Sequence, residues 1–166
     1  MIEIIGAVGY IEDIDTFFTE ISEFSKKNKI TVQAFNADLI YGKKHIISAV
    51  NHAVRSINRN KNTTNSFEME ILLYASGERQ LKIAIPKIGI KKGNANIAFV
   101  FIGKSITDTV INSCLDKFSL KKDESVLEGD KITLEKYCLK DEIKTVKKDK
   151  YQNLILEKIA LVDITK

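Results

Sequence analysis

Residues 97–102, Ile-Ala-Phe-Val-Phe-Ile, are apolar at every position. Side chains on a strand point alternately to opposite faces, so a run with no polar alternate has no face to turn to water. It predicts a buried strand over 96–102. Around it the sequence switches between two periods. Ile2-Glu3-Ile4 alternates and predicts a strand that ends near Gly6 or Gly9. Residues 30–35, Ile-Thr-Val-Gln-Ala-Phe, alternate and are β-rich, predicting a second strand. Residues 13–28 repeat apolar groups at Phe17, Ile21 and Phe24, open on acidic residues and close on lysines, which predicts a helix.

Helical spacing dominates the remainder. After Gly42, Ile46, Ala49, Val50, Ala53, Val54 and Ile57 form one apolar face. Residues 67–75 predict a short helix that Gly77 stops in a left-handed C′ position. A helix over 78–88 follows and ends at Gly89, with Pro86 predicting a kink or an early end. Residues 104–118 predict another helix with Ile106, Val110, Ile111, Cys114, Leu115 and Phe118 inward. Residues 121–131 read as a charged loop, 141–148 as a short helix and 151–161 as a final helix. The expected fold class is α+β, a small β-sheet packed with several α-helices in a single domain spanning 1–166, which 166 residues are enough to form.

Several classes are excluded or disfavoured. No apolar run approaches the roughly 20 residues of a membrane helix. The start, Met1-Ile2-Glu3, has no basic leader region, so a secretory signal is not expected. Cys114 and Cys138 have no CxxC partner and no nearby His, and read as buried thiols in a reducing cytoplasm. His45 and His52 are seven apart, whereas metal-binding pairs on a helix sit four apart, so no metal site is expected. No nucleophile–base motif and no cofactor motif is present, and the chain does not read as an enzyme. Gly103-Lys104-Ser105 follows a strand, as a phosphate-binding loop does, but the first glycine of that motif falls on Ala98 inside the strand. A tight turn with Ser105 as the helix cap is the simpler reading, with a nucleotide-binding domain as the alternative.

The net charge of +4 is unevenly spread. Residues 1–41 carry 3 basic and 7 acidic groups, residues 42–104 carry 11 and 3, and residues 105–166 carry 12 and 12. The whole positive excess lies in the middle third, an electrostatic footprint for an anion. Tyr41 and Tyr74 place aromatics among these cations, the combination that binds single-stranded nucleic acid by stacking and phosphate contact. The turn from Tyr74 to Gln80 is made of small and polar residues that allow close approach of a ligand. The C-terminal segment carries Tyr151, Leu154, Ile155, Leu156, Ile159, Leu161 and Val162, either a core helix or an exposed partner-binding patch.

Two blocks carry a family resemblance. One is Gln33-Ala34-Phe35-Asn36-Ala37-Asp38-Leu39-Ile40-Tyr41-Gly42-Lys43-Lys44-His45. The other is Glu70-Ile71-Leu72-Leu73-Tyr74-Ala75-Ser76-Gly77-Glu78-Arg79-Gln80, followed by the buried strand. Together they resemble the small non-catalytic subunit of the KEOPS (EKC) complex, the family whose animal member, TPRKB, binds the kinase PRPK. Met69 and Pro86 depart from its pattern. The resemblance implies a part in making threonylcarbamoyladenosine next to the anticodon of tRNA. It implies direct binding to the kinase-like ATPase subunit, indirect association with the transferase subunit, and capture of the single-stranded CCA 3′ end of tRNA, without cofactor or membrane. RNA capture would fall on Lys43, His45, Arg55, Tyr74, Ser76, Gly77, Arg79 and Gln80, with Glu70 holding the inter-helix turn. Kinase contact would fall on Tyr151, Leu154, Ile155, Ile159 and Val162. The other reading of the same residues is a pure protein-interaction module whose lysines only solubilise it.

Overall fold

A computed structural model describes residues 1–137 and 139–165; Cys138 and its thiol lie outside them. The architecture is α+β, with one antiparallel four-stranded sheet and seven α-helices among the described residues. The chain divides into two compact units, Met1–Ala37 with Ile90–Leu127 and Asp38–Gly89 with Glu128–Lys166.

The first unit holds the sheet. Strands β1 (Ile2–Ile11), β2 (Thr31–Asn36), β3 (Gly93–Ile102) and β4 (Lys121–Lys122) take the order β2-β3-β1-β4. The apolar run is the C-terminal part of β3, which begins at Gly93, earlier than expected; β3 is an inner strand that pairs with β1 from Ile2↔Ile102 to Ile11↔Gly93 and with β2 from Thr31↔Ile102 to Asn36↔Ile97. Residues 97–101 are all buried, as a strand with no polar face requires. Helix α1 (Ile14–Asn28) and helix α5 (Asp108–Lys117) complete the unit. Phe17, Ile21, Phe24, Ile111 and Leu115 form one core with Ile5, Val32, Phe99 and Phe101.

Two expectations change here. β1 runs past both glycines, which serve a close approach rather than a turn. A Cβ on Gly6 would strike the Asp123 carbonyl, and one on Gly9 would strike the Leu120 side chain. Helix α5 starts at Asp108, later than expected, and Thr107 rather than Ser105 is its cap, accepting from the Val110 amide. Ile106 is buried in the same core as Ile111, so an apolar anchor precedes the cap and fixes where the helix begins. Cys114 is a buried free thiol whose pKa burial pushes up to about 12.

The second unit is helical: α2 (Gly42–Asn58), α3 (Phe67–Ser76), α4 (Leu81–Ile88), α6 (Lys131–Lys136) and α7 (Tyr151–Thr165). α2 packs against α3 and α7. α7 lies parallel to α2, with Gly42 beside Gln152 and His52 bonded to Asp163. Gly77 caps α3 at φ 69°, the left-handed position expected of it. The helix expected from residue 78 begins at Leu81, because the Glu78 amide turns back to the Ser76 hydroxyl and the Leu73 carbonyl. Pro86 offers no N–H to the Lys82 carbonyl, and α4 ends two residues later. The helix expected over 141–148 is only a 3-10 turn at Glu142–Lys144. No described helix is long and apolar enough to cross a membrane.

Candidate functional site

Three of the basic residues of the middle third, Arg55, Arg59 and Lys61, meet at one end of α2. Arg55 lies in its last turn and Arg59 caps it, where cations complement the helix dipole. With Lys61, Ser56, Thr63, Tyr74 and Asp163 they line a cleft of about 370 Å³. That volume lies in the range of roughly 300–1,000 Å³ of small-ligand sites. Arg55, Arg59 and Lys61 are exposed, and neither Arg59 nor Lys61 makes an ion pair among the described residues.

The loop that carries Lys61 and Thr63 is held from beneath. Glu70, fully buried on α3, accepts from the Ser56 hydroxyl at 3.1 Å, the Thr63 amide at 3.1 Å, the Thr64 amide at 3.0 Å and the Thr64 hydroxyl at 3.0 Å. A buried carboxylate is tolerated when its lone pairs are filled in this way. Glu70 therefore shapes the α2–α3 loop, not the turn after α3 that the sequence reading assigned to it.

Tyr74 lies beneath the cleft with its side chain fully buried, which corrects the expectation that it faces an RNA: no base can stack on its ring. Its hydroxyl donates to Asp163 Oδ1, and His52 Nδ1 lies 2.6 Å from Asp163 Oδ2. Burial alone would raise the Asp163 carboxyl, but the bonds from Tyr74 and His52 and the charges of His52 and Arg55 outweigh it. The group is held below its ordinary value and is ionised at neutral pH. A second, smaller cleft is lined by Lys44, Ile47, Asn51, His52 and Leu156 among others.

The eight residues assigned to RNA capture fall into three groups. Arg55 and Tyr74 share the cleft. Ser76, Gly77, Arg79 and Gln80 form the adjoining turn, with Arg79 and Gln80 exposed. The Arg79 Nη1 donates to the Thr165 carbonyl at 3.0 Å, tying the turn to the end of α7. The Ser76 hydroxyl is buried and spent on Leu73 and Glu78, so it orders the turn rather than facing a ligand. A Cβ on Gly77 would lie 2.8 Å from the Tyr137 hydroxyl, which itself donates to the Ala75 carbonyl. Lys43 is exposed at the far end of α2, about 18 Å from Arg55 along the helix.

His45 is a correction. It is fully buried, its Nδ1 accepts from the Tyr41 amide at 3.1 Å and its Nε2 donates to the Ala75 carbonyl at 2.8 Å. Burial lowers its pKa to about 4, with the Ala75 bond opposing, so the ring is neutral and both nitrogens are occupied. It joins α2 to α3 and presents nothing to an RNA. No group of three metal-ligating side chains occurs among the described residues.

The partner-binding residues divide as well. Ile155, Ile159 and Val162 are buried and belong to the core of the helical unit, so they cannot form an exposed patch. Tyr151 and Leu154 are half-buried, while Leu161 and Ile164 are 39% and 78% exposed. Leu154 and Leu161, seven residues apart, share one side of α7. At Gly103-Lys104-Ser105 the Gly103 amide donates to the Met1 carbonyl, so it is not available to cradle a phosphate.

Arg59 and Lys61 lie within the basic run of residues 42–104, but nothing in their local sequence sets them apart from its other cations. His52 and Asp163 had no sequence signal as a pair, being 111 residues apart.

The chain matches the profile of the family described as kinase binding protein CGI-121 over residues 12–163. It is also 32% identical over 144 residues to the regulatory protein Cgi121 of Methanocaldococcus jannaschii, covering 81% of this chain and 84% of that protein.

Proposed function

The chain belongs to the CGI-121 family of kinase binding proteins, and from that membership we propose that it is a non-catalytic adaptor. It docks on the kinase-like ATPase subunit of KEOPS and through it associates with the transferase subunit. It recruits tRNA by the single-stranded CCA 3′ end for threonylcarbamoyladenosine formation. The observation that carries the RNA half is the cleft lined by the exposed cations Arg55, Arg59 and Lys61. Cations hold phosphates there, and the polar groups of the turn at Arg79 and Gln80 extend the track. Kinase docking falls on the exposed side of α7, at Leu154, Leu161 and Ile164, rather than on its buried stripe.

Charge reversal tests the RNA half. Arg59 is exposed at a helix end, so Arg59→Glu leaves the core untouched. It is expected to weaken tRNA binding about tenfold at low salt and to reduce the slope of log affinity against log salt by about one. Unchanged affinity and slope would move the phosphate site away from this cleft.

A further inference from the structure

Three cations suit a polyanion, yet one wall of the same cleft is a carboxylate. Asp163 is ionised and anchored by Tyr74 and His52, one on each oxygen. A fixed negative charge opposes a phosphate at that spot, so this wall of the cleft is built for something else. Each carboxylate oxygen has two acceptor sites. Tyr74 and His52 fill one on each, and the Asp163 side chain is 37% exposed. Two neighbouring oxygens therefore keep an acceptor site each, set by partners that fix the plane of the carboxylate. Two adjacent acceptors match two vicinal hydroxyl donors, and a carboxylate accepting from ribose hydroxyls is how dinucleotide-binding folds hold that sugar.

Resting on the RNA-end reading above, we propose that Asp163 reads the free 2′,3′-diol of a terminal ribose. Arg55, Arg59 and Lys61 take the phosphates that precede it. The cleft then selects RNA that ends in hydroxyls and rejects RNA that ends in phosphate. Asp163 is thus a specificity-determining residue, with Tyr74 and His52 positioning it.

The test measures fluorescence anisotropy of the full chain with a short single-stranded RNA ending in CCA, in three forms: free diol, 3′-phosphate and 2′,3′-dideoxy terminus. The diol form is expected to bind about fivefold or more tightly than the phosphate form, with the dideoxy form weakened as well. In Asp163→Asn the gap between diol and phosphate is expected to close, since the repelling charge is gone and the side chain is the same size. Equal binding of all three forms by the unaltered protein overturns the diol reading and leaves the RNA-end reading standing. Binding of none of the three overturns both. The comparison on the unaltered protein does not depend on the variant's fold.

Discussion

At the residue scale, the polar groups of the helical unit divide into those that hold it and those that face outward. Ser76 and Glu70 are deeply buried with their hydrogen-bonding atoms occupied. His45 is of this kind, and it has a pH consequence. Its pKa lies at about 4 in the fold against about 6.5 when unfolded. Between those values the unfolded chain binds the extra proton, so stability is full above about pH 6.5 and falls as the pH drops toward 4. Between pH 7 and 5 this single group is expected to withdraw about 2 kcal/mol. Urea unfolding at the two pH values measures it, with His45→Gln as the control that removes most of the difference. An equal pH dependence in the variant would assign the effect to other groups. The outward-facing residues were partly legible. Arg55, Arg59 and Lys61 stand in a run of cations with few acidic neighbours, and that imbalance is visible without a structure. The pairing of His52 with Asp163 was not, because it depends on α7 lying parallel to α2 and no local pattern encodes that.

At the element scale, helix ends were easier to read where the cap is chemical than where burial decides. Gly77 announced its left-handed cap, but Thr107 displaced Ser105 because Ile106 had to reach the core first. The same competition explains α7. Its apolar residues surround most of the helix, so sequence spacing alone could not separate the stripe at Ile155, Ile159 and Val162 from the side bearing Leu154 and Leu161. Burial separates them, and substitutions report it. Ile159→Ala is expected to cost about 2–5 kcal/mol of stability in denaturant unfolding. Leu161→Arg is expected to leave the unfolding midpoint nearly unchanged while abolishing pull-down of the kinase-like subunit. Loss of stability in Leu161→Arg would mean that this side of the helix is covered in the folded chain. Retained pull-down would place the docking surface on another element.

At the scale of the whole molecule, the charge is partitioned by unit. Residues 38–89 and 128–166 hold 17 Lys+Arg against 12 Asp+Glu, whereas residues 1–37 and 90–127 hold 9 against 10. The net +4 of the chain is thus an excess on the helical unit, the one that carries the cleft. The sheet unit was largely legible, since residues 97–102 of β3 leave no polar face and Ile2–Ile4 and residues 30–35 alternate in sequence. The positive excess on the helical unit favours polyanions at long range, and under the proposed function the cleft is where that attraction becomes specific for an RNA end. The direct measurement is a gel-shift titration of the full chain with intact tRNA and with the same tRNA lacking its CCA nucleotides, at one fixed salt concentration. The account predicts that removing the CCA end lowers affinity by about tenfold or more, since the phosphate contacts and the contact of the terminal ribose are lost together. Equal affinity for the two tRNAs would contradict it.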